Sequence, residues 1–162
     1  MNKRYEQAQV AFRRAKKNRY AAICHAFFLR ENARVTPDDR VKERENAFGK
    51  AGEAFYACAN ASPSKRERER VAYHTNAADC FVQAGRFREA GGCFVRAGHY
   101  TKAARAYRAG GHFDEMVEVL KKYEDQIEHS DLVQLKKVAQ MNYFKVSKLP
   151  TVGDLIDKTR RS

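Results

Sequence analysis

The stretch AADCFVQAGRFREAGGCFVRAGHYTKAARAYRAGGHFDE, residues 77–115, says nearly the same thing three times. Set under one another at a spacing of thirteen, Ala77, Cys80, Phe81, Ala84, Gly85 and Phe87 become Ala90, Cys93, Phe94, Ala97, Gly98 and Tyr100, then Ala103, Ala106, Tyr107, Gly110, Gly111 and Phe113. Small and aromatic residues at i, i+3, i+4 and i+7 mark one face of an α-helix and do not fit the alternation of a strand. The glycine after each apolar run supplies a left-handed residue that ends a helix, and the aromatic two places later can fold back on the helix just closed. Thirteen residues make a helix too short to persist alone in water, so each unit must bury its stripe on neighbours.

The same phrase occurs upstream at Ala8, Ala11, Phe12, Ala15 and at Ala51, Ala54, Phe55, Cys58, and the offset from 51 to 77 is twice thirteen. Five copies at Ala8, Ala51, Ala77, Ala90 and Ala103 are the signature of an all-α solenoid. The rival is a small helix bundle whose alanine-rich faces match by chance. The periodicity predicts helices over 3–16 and 19–34, with Tyr5, Phe12, Ile23 and Phe27 inward. Thr36-Pro37-Asp38-Asp39 reads as an N-cap, a first-turn proline and two carboxylates opening a third helix that runs to about Ala59. Ser64 and Glu67 spell a capping box for a fourth, reaching Ala84. Later helices are expected over 114–123 and from about Ser130 to Lys145. Together these make seven or eight helices, a helical domain over residues 1–147 and a tail, 148–162, in which Val152, Leu155 and Ile156 form one short docked turn that caps the stack.

The alanine, glycine and aromatic ladder is similar to the tetratricopeptide-like superfamily, although no Trp occurs and no Pro recurs in register. The order FFLRENAR, AFYACA, AADCFVQAG, AARAYRAGGHFDEMVEVL, VAQMNYFK, across residues 20–145, resembles the degenerate helical repeats of large fungal proteins that join a UvrD-like helicase domain to tetratricopeptide and ankyrin repeats. This resemblance implies a right-handed α-solenoid of short antiparallel helix hairpins, a scaffold for protein partners, and a repeat segment of a larger helicase-associated polypeptide. No GxxxxGK[ST] phosphate loop accompanies it.

Motifs for chemistry are missing. The pairs Gly91-Gly92 and Gly110-Gly111 belong to the ladder and are read as packing and capping positions. No GxSxG elbow occurs, and carboxylate pairs such as Asp38-Asp39 sit where a helix dipole or solvent explains them. Asp79 lies among small residues, yet its counterparts Gly92 and Arg105 point to an exposed column. Cys24, Cys58, Cys80 and Cys93 form no CxxC, and three of them occupy the small-residue stripe, so reduced, space-filling thiols are expected. No catalytic residue, metal or cofactor is assigned. The N-terminus lacks an apolar leader and no run is long enough to span a membrane, so cytosol or nucleus is the expected compartment.

Charge is the remaining clue. The net charge is +12, and residues 1–70 hold 17 Lys and Arg against 9 Asp and Glu. Arg13, Arg14 and Lys17, with Arg66 and Arg70, are candidate phosphate contacts for a nucleic-acid-binding accessory module. Against that, residues 66–70 alternate in sign as a solvated helix face does, and no aromatic interleaves to stack bases. The leading expectation is protein binding through outward residues such as Arg88, Arg105 and Arg108. Self-association through exposed terminal helices is expected as well.

Overall fold

A computed structural model describes residues 2–14 and 18–146. The described chain is all-helical: α1 (Asn2–Arg14), α2 (Asn18–Val35), α3 (Val41–Ala61), α4 (Glu67–Gln83), α5 (Phe87–Arg96), α6 (Tyr100–Ala109), α7 (Phe113–Lys122), a 3-10 turn (Glu124–Gln126) and α8 (His129–Val146). Each helix packs on the one before and the one after it, and α6 also touches α8. The expected tail turn at Val152, Leu155 and Ile156 lies outside the described residues, as does the link at 15–17.

The thirteen-residue pattern sets the interior. Ala51, Ala77, Ala90 and Ala103 are fully buried, and Phe55, Phe81, Phe94 and Tyr107, four residues further on, are buried in the same core. Met116, Val119 and Leu120 carry the register one unit further, into α7. Close helix approach comes from the glycine after Ala51 and after Ala90. A β-carbon at Gly52 would lie 2.8 Å from the Phe81 ring, and one at Gly91 would lie 2.5 Å from that of Tyr107. Aromatic rings thus rest on the bare backbone of the preceding helix, which is why glycine is needed there.

The short helices end as expected. Gly85, Gly98 and Gly111 have φ of 70°, 78° and 73°. At each, the glycine N–H bonds back three residues, and the N–H after it bonds back five: Arg86 to the Phe81 carbonyl at 2.9 Å, His99 to Phe94 at 2.9 Å, His112 to Tyr107 at 2.8 Å. This paired pattern ties off the last carbonyls of a helix. Arg86, His99 and His112 then serve directly as the residue before the next helix, so one residue closes one helix and opens another.

The links ahead of α3 and α4 differ from expectation. Helix α3 starts at Val41 and α4 at Glu67, preceded by Arg40 and Arg66, neither of which makes a side-chain cap. Thr36 does not cap forward, and its Oγ1 instead donates to the Asn32 carbonyl of α2 at 2.9 Å. Ser62 does the same toward Cys58 of α3, also at 2.9 Å. The proline that follows each hydroxyl cannot continue the old helix, and its carbonyl accepts from Arg40 or Arg66 in a tight turn. The capping box expected from Ser64 and Glu67 therefore lies one turn too early, because the turn consumes Ser64 and Lys65.

Helix α2 is tied to α4 by polar groups. Glu31 is buried and accepts from Arg34 at 3.1 Å, with Arg30 3.6 Å away. Arg30 lies 4.8 Å over the Phe27 ring and donates to Asn76 Oδ1 at 3.2 Å. A buried carboxylate survives only with such partners. No described helix is long and apolar enough to cross a membrane.

Candidate partner-binding groove

A cleft of about 540 Å³ crosses α3, α5 and α7. Alternate helices share this face because each link reverses the chain. Two contacts give their relative direction. Arg86, in the α4–α5 link, bonds Glu53 of α3 at 2.6 Å and Glu89 of α5 at 2.9 Å. Further along both helices, Arg96 of α5 donates to the Tyr56 hydroxyl of α3 and lies 5.2 Å over its ring. The order 53 to 56 thus runs alongside 89 to 96, so α3 and α5 are parallel. Arg88 of α5 reaches Glu115 of α7 at 2.5 Å and ties in the third helix.

The floor is apolar, from Phe81, Tyr107 and Val119 among others. Gly92 opens its centre: a β-carbon there would meet only the Tyr107 hydroxyl, at 3.9 Å, and would otherwise point into the cleft. The neighbouring glycines thus have different jobs, Gly91 packing and Gly92 leaving space. Glu53, Glu89, Glu115 and Glu118 line the cleft together with Arg96 and Lys122. Burial alone would raise the Glu89 carboxyl, but its backbone N–H and Arg86 hold it below the usual carboxylate range. Its own backbone N–H, and then Arg88, does the same for Glu115. Both therefore remain charged at neutral pH.

Cys93, in the groove lining, is not an activated thiol. Burial pushes the Cys93 thiol up to about 11 and the Cys80 thiol likewise to about 11, the reverse of what a nucleophilic cysteine requires. All four cysteines are unpaired. Among the described residues, no three His, Cys, Asp or Glu side chains are placed to hold a metal ion. Beside Tyr56 of the lining lies His74, buried, with the Tyr56 ring 5.8 Å away and no hydrogen-bond partner for Nδ1. Burial, and then the charges of Arg96 and Arg70, lower its pKa.

The residues expected to contact partners fall in different places. Arg88 stands at the groove rim, engaged by Glu115. Arg105 of α6 is turned toward α8, where Asp131 accepts from its Nε at 2.8 Å and its Nη2 at 2.5 Å. That contact holds the Asp131 carboxyl below its ordinary range. Arg108 is exposed on α6, away from the groove lining. Of the basic clusters, Arg14 is exposed on α1, while the Arg13 side chain and Lys17 lie outside the described part. Arg66 shares the carboxylate of Glu69 with Arg19 of α2, and Arg70 faces His74. Asp79 is exposed in a separate cleft of about 390 Å³ with Arg30, Arg34 and Arg44.

Sequence reasoning missed the groove's glutamates and Gly92. A signal was available at twice the repeat spacing: Glu89 and Glu115, Arg96 and Lys122, and Gly92 and Glu118 are each 26 residues apart. Comparing successive units hides this, because successive helices face opposite ways. No protein-family model, no curated protein and no solved structure matches the chain.

Proposed function

We propose that this chain is a non-catalytic helical-repeat scaffold, a solenoid of antiparallel helix hairpins that holds a segment of a partner protein across α3, α5 and α7. Repeat scaffolds present partner surfaces from equivalent positions of alternate helices, and the groove has that construction. The observation that carries the reading is the parallel alignment of α3 and α5, with an open floor at Gly92 among charged side chains. The thirteen-residue ladder and its resemblance to helicase-associated repeats favour a segment that supports a larger assembly in the cytosol or nucleus.

The test uses the full chain with a photo-crosslinking residue at Glu118, in the groove, or at Arg108, outside it. Crosslinks to a partner peptide should form from position 118 and disappear in Gly92→Leu, whose side chain fills the cleft while improving helix propensity. Crosslinks of equal yield from Arg108, or persistence in Gly92→Leu, would move the binding surface elsewhere.

A second reading, a nucleic-acid accessory module, draws support from one observation: Arg19 and Arg66 share a single carboxylate, leaving excess positive charge beside the start of α4. Under that reading a short single-stranded oligonucleotide binds, its affinity falls steeply with salt, and Gly92→Leu has no effect.

A further inference from the structure

Tyr107 is only 8% exposed, and its ring packs on the bare backbone of Gly91. The ring is thereby fixed, and its hydroxyl comes up at Gly92, in the lining of the groove. Among the described residues that hydroxyl has no hydrogen-bond partner, although a buried Tyr oxygen normally finds one. Polar side-chain atoms that lack both a partner and accessible surface are, in the described part, confined to Arg19, Arg30 and His74. The Tyr107 oxygen therefore keeps its access from the groove.

Carboxylates lie close to it. Burial first, and then the charge of Glu115, raise the Tyr107 pKa, with Arg88 acting against them and Glu118 with them. The phenol keeps its proton at neutral pH. Glu115 has Arg88 at 2.5 Å, whereas Glu118, the α7 residue equivalent to Gly92, has no cation within ion-pair distance among the described residues. Lys122, one turn further along α7, lies 5.4 Å over the Tyr123 ring, and Arg96, one turn beyond Gly92, donates to the Tyr56 hydroxyl. At Gly92 the groove thus presents a phenol oxygen and a carboxylate, each unpartnered, beside an apolar floor of Phe81, Tyr107 and Val119.

This set of groups selects what can sit there. An acidic side chain is repelled by Glu118, and an apolar one covers the phenol oxygen and the carboxylate without pairing either, at a desolvation cost. A lysine or arginine satisfies all three: its aliphatic stem lies on the floor, and its N–H groups donate to Tyr107 Oη and to the carboxylate. Gly92 leaves the room in which the stem enters. The complementarity is local, because a chain carrying +12 overall repels a basic group from most of its surface.

Building on the scaffold reading, we infer that the partner segment lays one basic side chain, a lysine or arginine, over Gly92, with its N–H groups taken by the Tyr107 hydroxyl and the Glu118 carboxylate. The Tyr107 hydroxyl, unused in the free protein, is then the group that distinguishes a basic anchor from an apolar one of the same length.

A randomised twelve-residue phage library panned on the full chain, with counter-selection on Gly92→Leu, supplies the probe, and a synthetic peptide from the enriched pool is titrated by fluorescence anisotropy. Replacing one basic residue of that peptide by norleucine, which keeps the stem and loses the charge, should weaken binding at least tenfold. Tyr107→Phe and Glu118→Gln should each weaken the basic peptide at least fivefold and leave the norleucine peptide unchanged. Tyr107→Phe removes only an oxygen without a partner, so its urea midpoint should match the parent's, which separates a contact to the ligand from a role in the core. Enriched peptides without lysine or arginine, or a basic peptide indifferent to either substitution, overturn the inference and leave the scaffold reading standing. Failure to enrich any Gly92-dependent peptide overturns both.

Discussion

Between α2 and α4 the chain reverses twice, each time through a hydroxyl, a proline and a turn. Between α4 and α7 it reverses three times, each time through three residues centred on a left-handed glycine. The residues just before α3, α4, α5, α6 and α7 nevertheless have nearly the same backbone, with φ from −86° to −104° and ψ from 51° to 68°. Two different chemistries therefore deliver the chain to one launching geometry. The hydroxyl of Thr36 or Ser62 adds one hydrogen bond to the helix behind it, whereas the glycine supplies a backbone conformation that no side-chain-bearing residue adopts freely. The first kind of reversal is held by a contact and the second by a conformation.

The comparison is broken most severely through the core. Phe55 belongs to the long-helix region and Phe94 to the short, and both lie in one buried cluster. Phe55→Ala and Phe94→Ala should each cost about 3–5 kcal/mol of unfolding free energy, with a single transition in urea. Two separated transitions, with each substitution moving only one, would mean that the regions fold independently.

The links themselves come next. Gly98→Val should destabilise by about 1–3 kcal/mol, since a β-branched residue is forced into the left-handed region. Ser62→Ala should cost only about 0.5–1.5 kcal/mol, one hydrogen bond. Chemical denaturation of both variants measures the difference, and equal losses would erase the distinction between conformation and contact.

The smallest effect is a pH dependence confined to the long-helix region. His74 has its pKa lowered from 6.5 by burial, so the unfolded chain takes up the proton more readily than the folded one. Stability from the neutral imidazole is complete above 6.5 and declines as pH falls below it through the depressed folded value. Thermal melts from pH 7.5 downward should show this decline in the parent and a shallower one in His74→Leu. Parallel curves would show that the imidazole is equally free in both states.

Much of the architecture could be read directly from residue types. The left-handed glycines and the buried Ala and Phe positions followed from local chemistry, because a glycine after an apolar helical stripe has few other uses. Thr36 and Ser64 misled for the same reason that they are versatile: a hydroxyl or a carboxylate near a helix start can serve the helix behind it, the helix ahead or solvent. Thr36 chose backward, and the turn consumed Ser64. The groove was hidden more deeply. Its residues come from several repeat positions, and the glycine at 92 stands where the equivalent positions 53 and 118 carry glutamate. Only the knowledge that alternate helices share a face brings them together.

The shared link residue, at once the close of one helix and the opening of the next, makes the order of helices a matter of parity. Removing one thirteen-residue unit, for instance 87–99, would join Arg86 to Tyr100 with the link geometry intact, yet every later helix would then run in the opposite sense and turn its groove-facing side away. Removing two units restores the sense and the face. Length in this region can therefore change without loss of the groove only in steps of 26 residues, so the groove counts helices in pairs although the sequence repeats one helix at a time.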